Sequence, residues 1–382
     1  MTNKKILFSV VTVLFWFSLY AYVPQLTNYA NEMGASYRLI GLIGGAYGFT
    51  QTILRIPIGI ISDKLMKRKV FVLLGIICAV ISAASVYFLP NPYTLLIARL
   101  IAGISSATWV NFTILFLSYY DSSESSKAIA IINTNNRIGQ LFSMLFGGIV
   151  AIRFGVKQVF LLSTIIAAIS LFLGAFIYES KEKSRINIKS NNKDFGFMDV
   201  VKNKKVVRIS ILAAVIQMMV YSTNFGFTPI IARKLGADDL QLSFLTTIFT
   251  LPQVLFSLLS VTIFTKKFGE VLTLKIGFLI SAIVCILTPF TTKLYILYIM
   301  QLISGIGNII VFTLTMSMVI KGVETNLMTT TMGFYQAVFG LGMILGPILL
   351  GNIGDIFGLT AGFIVVGILG LVSVWYTNKL SI

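Results

Sequence analysis

The sequence predicts an all-α integral membrane protein of twelve transmembrane helices, which an internal repeat divides into two pseudo-symmetric six-helix halves. Three observations carry the prediction. The 382 residues are 57% hydrophobic and 11% charged, with a mean hydropathy of +0.91, whereas soluble domains carry about 25% charged residues. Apolar runs of about 20 residues, the length that crosses a bilayer core, recur along the chain. The cations gather in alternate loops, as expected where short cytoplasmic loops retain Lys and Arg.

In chain order the spans fall at 6–28, 40–62, 69–89, 93–118, 128–152 and 157–178, then at 207–231, 241–265, 270–290, 294–320, 327–354 and 358–378. Lys4 and Lys5 ahead of the first run imitate the head of a secretory signal. The run outlasts a signal core of about 7 to 15 residues, and Tyr20, Tyr22 and Pro24 stand where small residues would mark cleavage. It is read as a retained first helix. Residues 179–206, with IKSNNKD near their centre, form a polar cytoplasmic linker between an N-terminal half, 1–178, and a C-terminal half, 207–382. Cys78 and Cys285 fall inside apolar spans and are read as small hydrophobes.

The net charge of +17 raises the question of nucleic acid. Its distribution answers it: twenty-one of the thirty Lys and Arg residues lie at cytoplasmic positions and six outside, with Arg55, Arg99 and Arg137 inside spans. Topology demands that asymmetry. No nucleic-acid partner is expected, and the basic linker is expected to lie against the anionic inner leaflet. Both termini are then cytoplasmic, in a multi-pass protein of the cell membrane.

Residues 59–69, GIISDKLMKRK, join the second and third spans. Gly59, Asp63, Lys64, Lys67 and Arg68 resemble, in type and spacing, a loop of the major facilitator superfamily of secondary transporters. That pattern is Gly, three residues, Asp, a base, any residue, Gly, then two bases. Met66 replaces its second Gly, which leaves the tight turn without the residue that best tolerates it. The resemblance, to a bacterial-type twelve-helix member of the drug or metabolite efflux kind, implies that the loop braces helix 2 against helix 11 and governs conformational switching.

An internal repeat at a displacement of 202 to 205 points to the same architecture. Pro24 meets Pro229, Gln51 meets Gln253, Gly103 meets Gly305, Gly139 meets Gly342, and Phe154–Gly155 meets Phe357–Gly358. Two parallel six-helix repeats related by an axis along the membrane normal are what that superfamily shows. The second-half counterpart of the loop reads TIFTKKFGE, with Lys266 in place of the acid and Gly269 retained. Helix 11 carries Gly333, Gly342, Gly346, Pro347 and Gly351, which resembles the Gly-rich motif that antiporters of the superfamily place in helix 5. Its physical reading is close helix packing and a Pro kink, shared with Gly103 of helix 4.

The resembled fold implies a central cavity lined by helices 1, 4, 7 and 10 and flanked by 2, 5, 8 and 11. The polar residues within spans follow that division: Tyr20 in helix 1, Arg99, Trp109 and Asn111 in helix 4, Gln217, Tyr221 and Asn224 in helix 7, Gln301 and Asn308 in helix 10. Gln51, Arg137, Tyr335 and Gln336 come from flanking helices. Polar groups in lipid are costly and should face protein or water. Arg99, one and two turns before Gly103 and Ala107, is the foremost candidate for substrate binding or coupling. It serves equally as a structural Arg bonded to carbonyls or tyrosines. Arg137, with Asn133 and Asn136 one turn before it, forms a polar face that either holds substrate or seals an inner gate.

All thirteen acids fall in loops or at span ends, and there is no His. That favours a neutral or anionic substrate over a cationic drug, which usually meets a mid-membrane carboxylate. Paired catalytic carboxylates and nucleophile–base pairs are missing from the spans, so an enzyme is not expected, nor a metal or cofactor. The expected function is alternating-access transport of a small organic solute by a monomer, with a proton or another ion as possible coupling partner. Efflux of an amphipathic compound is the first reading and uptake or exchange of a small organic anion the second. A non-transporting receptor of the same architecture is the third.

Overall fold

The structure, a computed structural model, describes residues 3–121, 124–179, 195–259, 265–321, 323 and 328–380. Sixteen α-helices and no strand occur among them. They are α1 (Asn3–Tyr20), α2 (Leu26–Glu32), α3 (Tyr37–Leu65), α4 (Arg68–Phe88), α5 (Pro92–Ala107), α6 (Trp109–Leu117), α7 (Ser125–Phe154) and α8 (Val156–Ala175). After the linker come α9 (Phe195–Lys202), α10 (Lys204–Ser222), α11 (Thr228–Lys234), α12 (Asp239–Leu259), α13 (Thr265–Leu287), α14 (Leu294–Ile320), α15 (Met328–Phe357) and α16 (Leu359–Tyr376). Most of the expected linker, 180–194, lies outside the described residues.

Ten stretches among the described residues are long and apolar enough to cross a membrane. The first and eighth expected spans correspond to α1 with α2 and to α12. Three spans read as continuous are interrupted. The first breaks between Tyr20 and Leu26, around Pro24, whose ring removes an N–H and disfavours helix in the residue before it. The fourth breaks at Thr108, whose hydroxyl donates to Ser105 O at 2.7 Å. The seventh passes through a π-helical turn, Thr223–Phe227, just before Pro229. The two prolines paired by the repeat thus mark helix breaks in both halves.

The described chain forms two compact units. One comprises Met1–Met33, Phe49–Ser190 and Asp238–Ser243; the other comprises Gly34–Gly48, Asn191–Ala237 and Phe244–Ile382. Each half therefore cedes one helix end: the start of α3 belongs to the second unit and the start of α12 to the first.

In the first unit α1 packs on α7 through glycine: a side chain at Gly139 would run into Val13 O, and one at Gly147 into Ala21 O. Phe8 and Phe15 of α1 meet Phe112 and Phe116 of α6, with Phe15 stacked on Phe112 at 4.5 Å. Buried Gln25 donates to Ser243 Oγ at 2.9 Å and to Asp239 O at 3.0 Å, tying in the ceded start of α12. In the second unit α10 packs on α15 the same way, with Gly342 against Ala214 O and Gly346 against Met218 O. The ceded start of α3 lies along α15, where Gly41 and Gly44 meet Pro347 and Gly351 meets Tyr37. Gly333 is exposed, with open space around the position of a Cβ.

The residues with positive φ repeat with the halves. Gly34 (83°) pairs with Gly236 (88°), Gly155 (90°) with Gly358 (84°), and Met66 (52°) with Gly269 (75°), at displacements of 202, 203 and 203. Met66, standing where the superfamily pattern has Gly, adopts a positive φ that an L side chain rarely takes.

Candidate substrate site

The second unit gathers the densest set of predicted polar residues. Asn224, in the π turn, donates through Nδ2 to Gln301 Oε1 at 2.7 Å and to Ser304 Oγ at 3.1 Å. Thr223 donates to Asn224 Oδ1 at 3.0 Å. All four side chains are buried. A π turn, closed here by Thr228 N–H donating to Thr223 O, inserts an extra residue and turns the following side chains about the helix axis. The network borders a small cavity that Asn308 of α14, Ser281 and Cys285 of α13, and Thr288 just after α13 also line. Asn224, Gln301 and Asn308 are therefore brought together, facing α13 within the bundle.

Tyr335 is fully buried, and its hydroxyl shares a hydrogen bond of 2.9 Å with Thr315 Oγ1. Gln217, Tyr221 and Gln336 are half-buried, with the Tyr221 ring 5.7 Å from Phe225.

In the first unit, Arg99 is buried in α5. Gln301 occupies the corresponding place in the second unit at the displacement of 202 shared by Gly103 and Gly305, so an Arg in one half answers a neutral amide in the other. Asn111 of α6 is 0% exposed, and neither carboxamide atom has a hydrogen-bond partner among the described residues. Such burial costs about 1 to 3 kcal/mol unless water or a ligand meets it. Trp16 lies edge-on to Trp109 at 5.2 Å and 5.8 Å from Tyr20, its buried Nε1 likewise unpartnered. Gln51 is half-buried in α3. Arg137 is exposed on α7 and donates to Gln140 Oε1 at 3.3 Å, while Gln140 Nε2 donates to Asn136 Oδ1 at 2.6 Å.

In residues 59–69, Lys64 and Lys67 are exposed, whereas Arg68 begins α4 and is buried. Gly59 and Asp63 lie on α3, and the Asp63 side chain is outside what the structure describes. Sequence reasoning passed over Thr223, Ser304, Gln140 and Trp16. Ser and Thr are common in apolar helices, where they bond their own backbone, so type alone does not single them out.

Long apolar helices with polar side chains buried among them mark an integral membrane protein. The profile of the Major Facilitator Superfamily matches residues 8–213 and 209–379. The MFS-type transporter MJ1560 of Methanocaldococcus jannaschii is 27% identical over 348 residues, 88% of this chain and 87% of its own. The multi-drug resistance efflux pump PmrA of Streptococcus pneumoniae is 23% identical over 381 residues, 94% of this chain and 88% of its own. The crystal structure of the nucleoside transporter NupG superposes with a TM-score of 0.83 at 15% identity, covering 100% of this chain and 99% of that one. The protein belongs to the Major Facilitator Superfamily of transporters.

Proposed function

We propose that the protein is an alternating-access secondary active transporter that exports a small amphipathic organic compound across the cytoplasmic membrane. Its termini and linker lie on the cytoplasmic side, it works as a monomer, and a proton or another ion drives it. The observation that carries the reading is the character of the buried polar groups in the first unit, the amide of Asn111 and the indole of Trp16, beside aromatic rings. Neutral dipoles bind a solute's hydrogen-bonding groups without having to neutralise its charge, and ring faces take its apolar part. Similarity to an efflux pump along most of both chains supports the outward direction.

Burial of Arg99 favours a second reading, uptake or exchange of a small organic anion, since the planar guanidinium fork matches carboxylate and phosphate geometry. Flux into and out of proteoliposomes, measured with neutral, anionic and cationic compounds, decides between them. Export of neutral amphipaths supports the first reading. Selective anion uptake supports the second, and no flux of any class refutes both.

A further inference from the structure

We propose that the cavity between α10, α13 and α14 is a binding site for one ordered water molecule, which joins Asn308 to the Asn224–Gln301–Ser304 network. The cavity has a volume of about 10 Å³ for the centre of a water-sized sphere, the scale of a single molecule. Its polar wall is built from three helices, whereas a dry cavity would be apolar.

A bound water needs two to four polar partners, and the wall supplies them. Asn308 lines the cavity, is 5% exposed, and has no hydrogen-bond partner for Nδ2 among the described residues. That donor calls for an acceptor. Gln301 Oε1 and Asn224 Oδ1 each accept one described side-chain bond and have room for another. Ser304 Oγ, accepting from Asn224, keeps its own proton to donate. Water both accepts from Asn308 and donates to an amide oxygen.

A monovalent cation fits worse. The lining holds no acid, the unpartnered group is a donor that would repel a cation, and a buried charge faced only by dipoles carries a large desolvation cost. The position of Asn224 in the π turn gives the site its consequence. A water can exchange partners as that turn rearranges, so the helix can shift without stranding a buried amide.

Two sulfur side chains in the lining make the site testable: Met219 is 3% exposed and Cys285 4%. Hydroxyl radicals formed by X-ray radiolysis of a bound water oxidise the side chains beside it. In the purified wild-type protein, Met219 should be oxidised faster than the similarly buried Met144 and Met343, which are not part of the lining. Asn308→Leu, of similar volume and without the donor, should bring Met219 down to the rate of those controls. Wild-type oxidation of Met219 and Cys285 at control rates overturns the proposal, whether or not the variant folds. So does a folded Asn308→Leu protein whose Met219 rate is unchanged. Protection of Met219 when sodium replaces potassium would assign the cavity to a cation and overturn it as well.

Discussion

The carboxylate of Glu179 accepts the backbone N–H of Arg68 at 2.6 Å and, through its other oxygen, that of Lys69 at 3.2 Å. It thereby caps the first turn of α4 from the far end of α8, where the helix has unpaired N–H groups and a positive dipole. Lys69 Nζ closes the link by donating to Ala175 O at 2.7 Å. Glu179→Ala should lower stability by about 1 kcal/mol. The thermal midpoint of the purified protein should fall, and trypsin should cut the 64–69 loop faster. An unchanged midpoint and cleavage rate would show that the cap contributes nothing.

Tyr119 lies at the same end, donating to Tyr178 O. Burial, then the neighbouring Glu179 and Tyr178, push its pKa up. The folded state thus holds the phenol proton more tightly than the unfolded chain, so any stability difference appears only as pH rises above the ordinary tyrosine value of about 10. Wild-type stability should decline there more steeply than that of Tyr119→Phe, with parallel behaviour at neutral pH. Parallel pH profiles up to alkaline pH would refute it.

Met66 takes φ of 52° in the turn between α3 and α4. Met66→Gly should relieve that conformation and stabilise the protein by up to about 1 kcal/mol, part of the gain being offset by the freer unfolded chain. At the paired position Gly269, φ 75° and ψ 165° are open essentially to Gly alone, so Gly269→Ala should destabilise. Opposite shifts of the two midpoints are the expected signature, and a destabilised Met66→Gly would contradict it.

Arg99→Lys keeps the charge but loses the planar fork, and Arg99→Gln keeps some hydrogen bonding without the charge. If Arg99 binds an anionic group, Lys should retain partial flux and Gln should mainly raise the apparent KM. If it only ties helices, both should lower the amount of folded protein. Normal flux and expression in the Gln variant would exclude both roles and pass the question to Arg137.

Single Cys residues introduced at 193 and 238 test the orientation. A membrane-impermeant thiol reagent applied to intact cells should label position 238 and leave position 193 unlabelled. The reverse pattern would invert the topology.

Hydropathy and charge placed the spans, and the spacing of Gly59, Asp63, Lys64, Lys67 and Arg68 pointed to the family that the whole chain then matched. Such features are legible because each residue meets lipid or water nearly independently of its distant neighbours, so local sums predict the outcome. The repeat was equally legible, since Pro24 and Pro229 disrupt a helix through their own covalent geometry. Only the tertiary structure decided what the polar residues do. Asn224 and Gln301 are 77 residues apart and Glu179 and Arg68 are 111 apart, and whether they meet depends on how helices pack to within an ångström. The sequence names the donors and acceptors; hydrogen bonds are directional and short-ranged, so their pairing exists only once the backbones that carry them have been brought together.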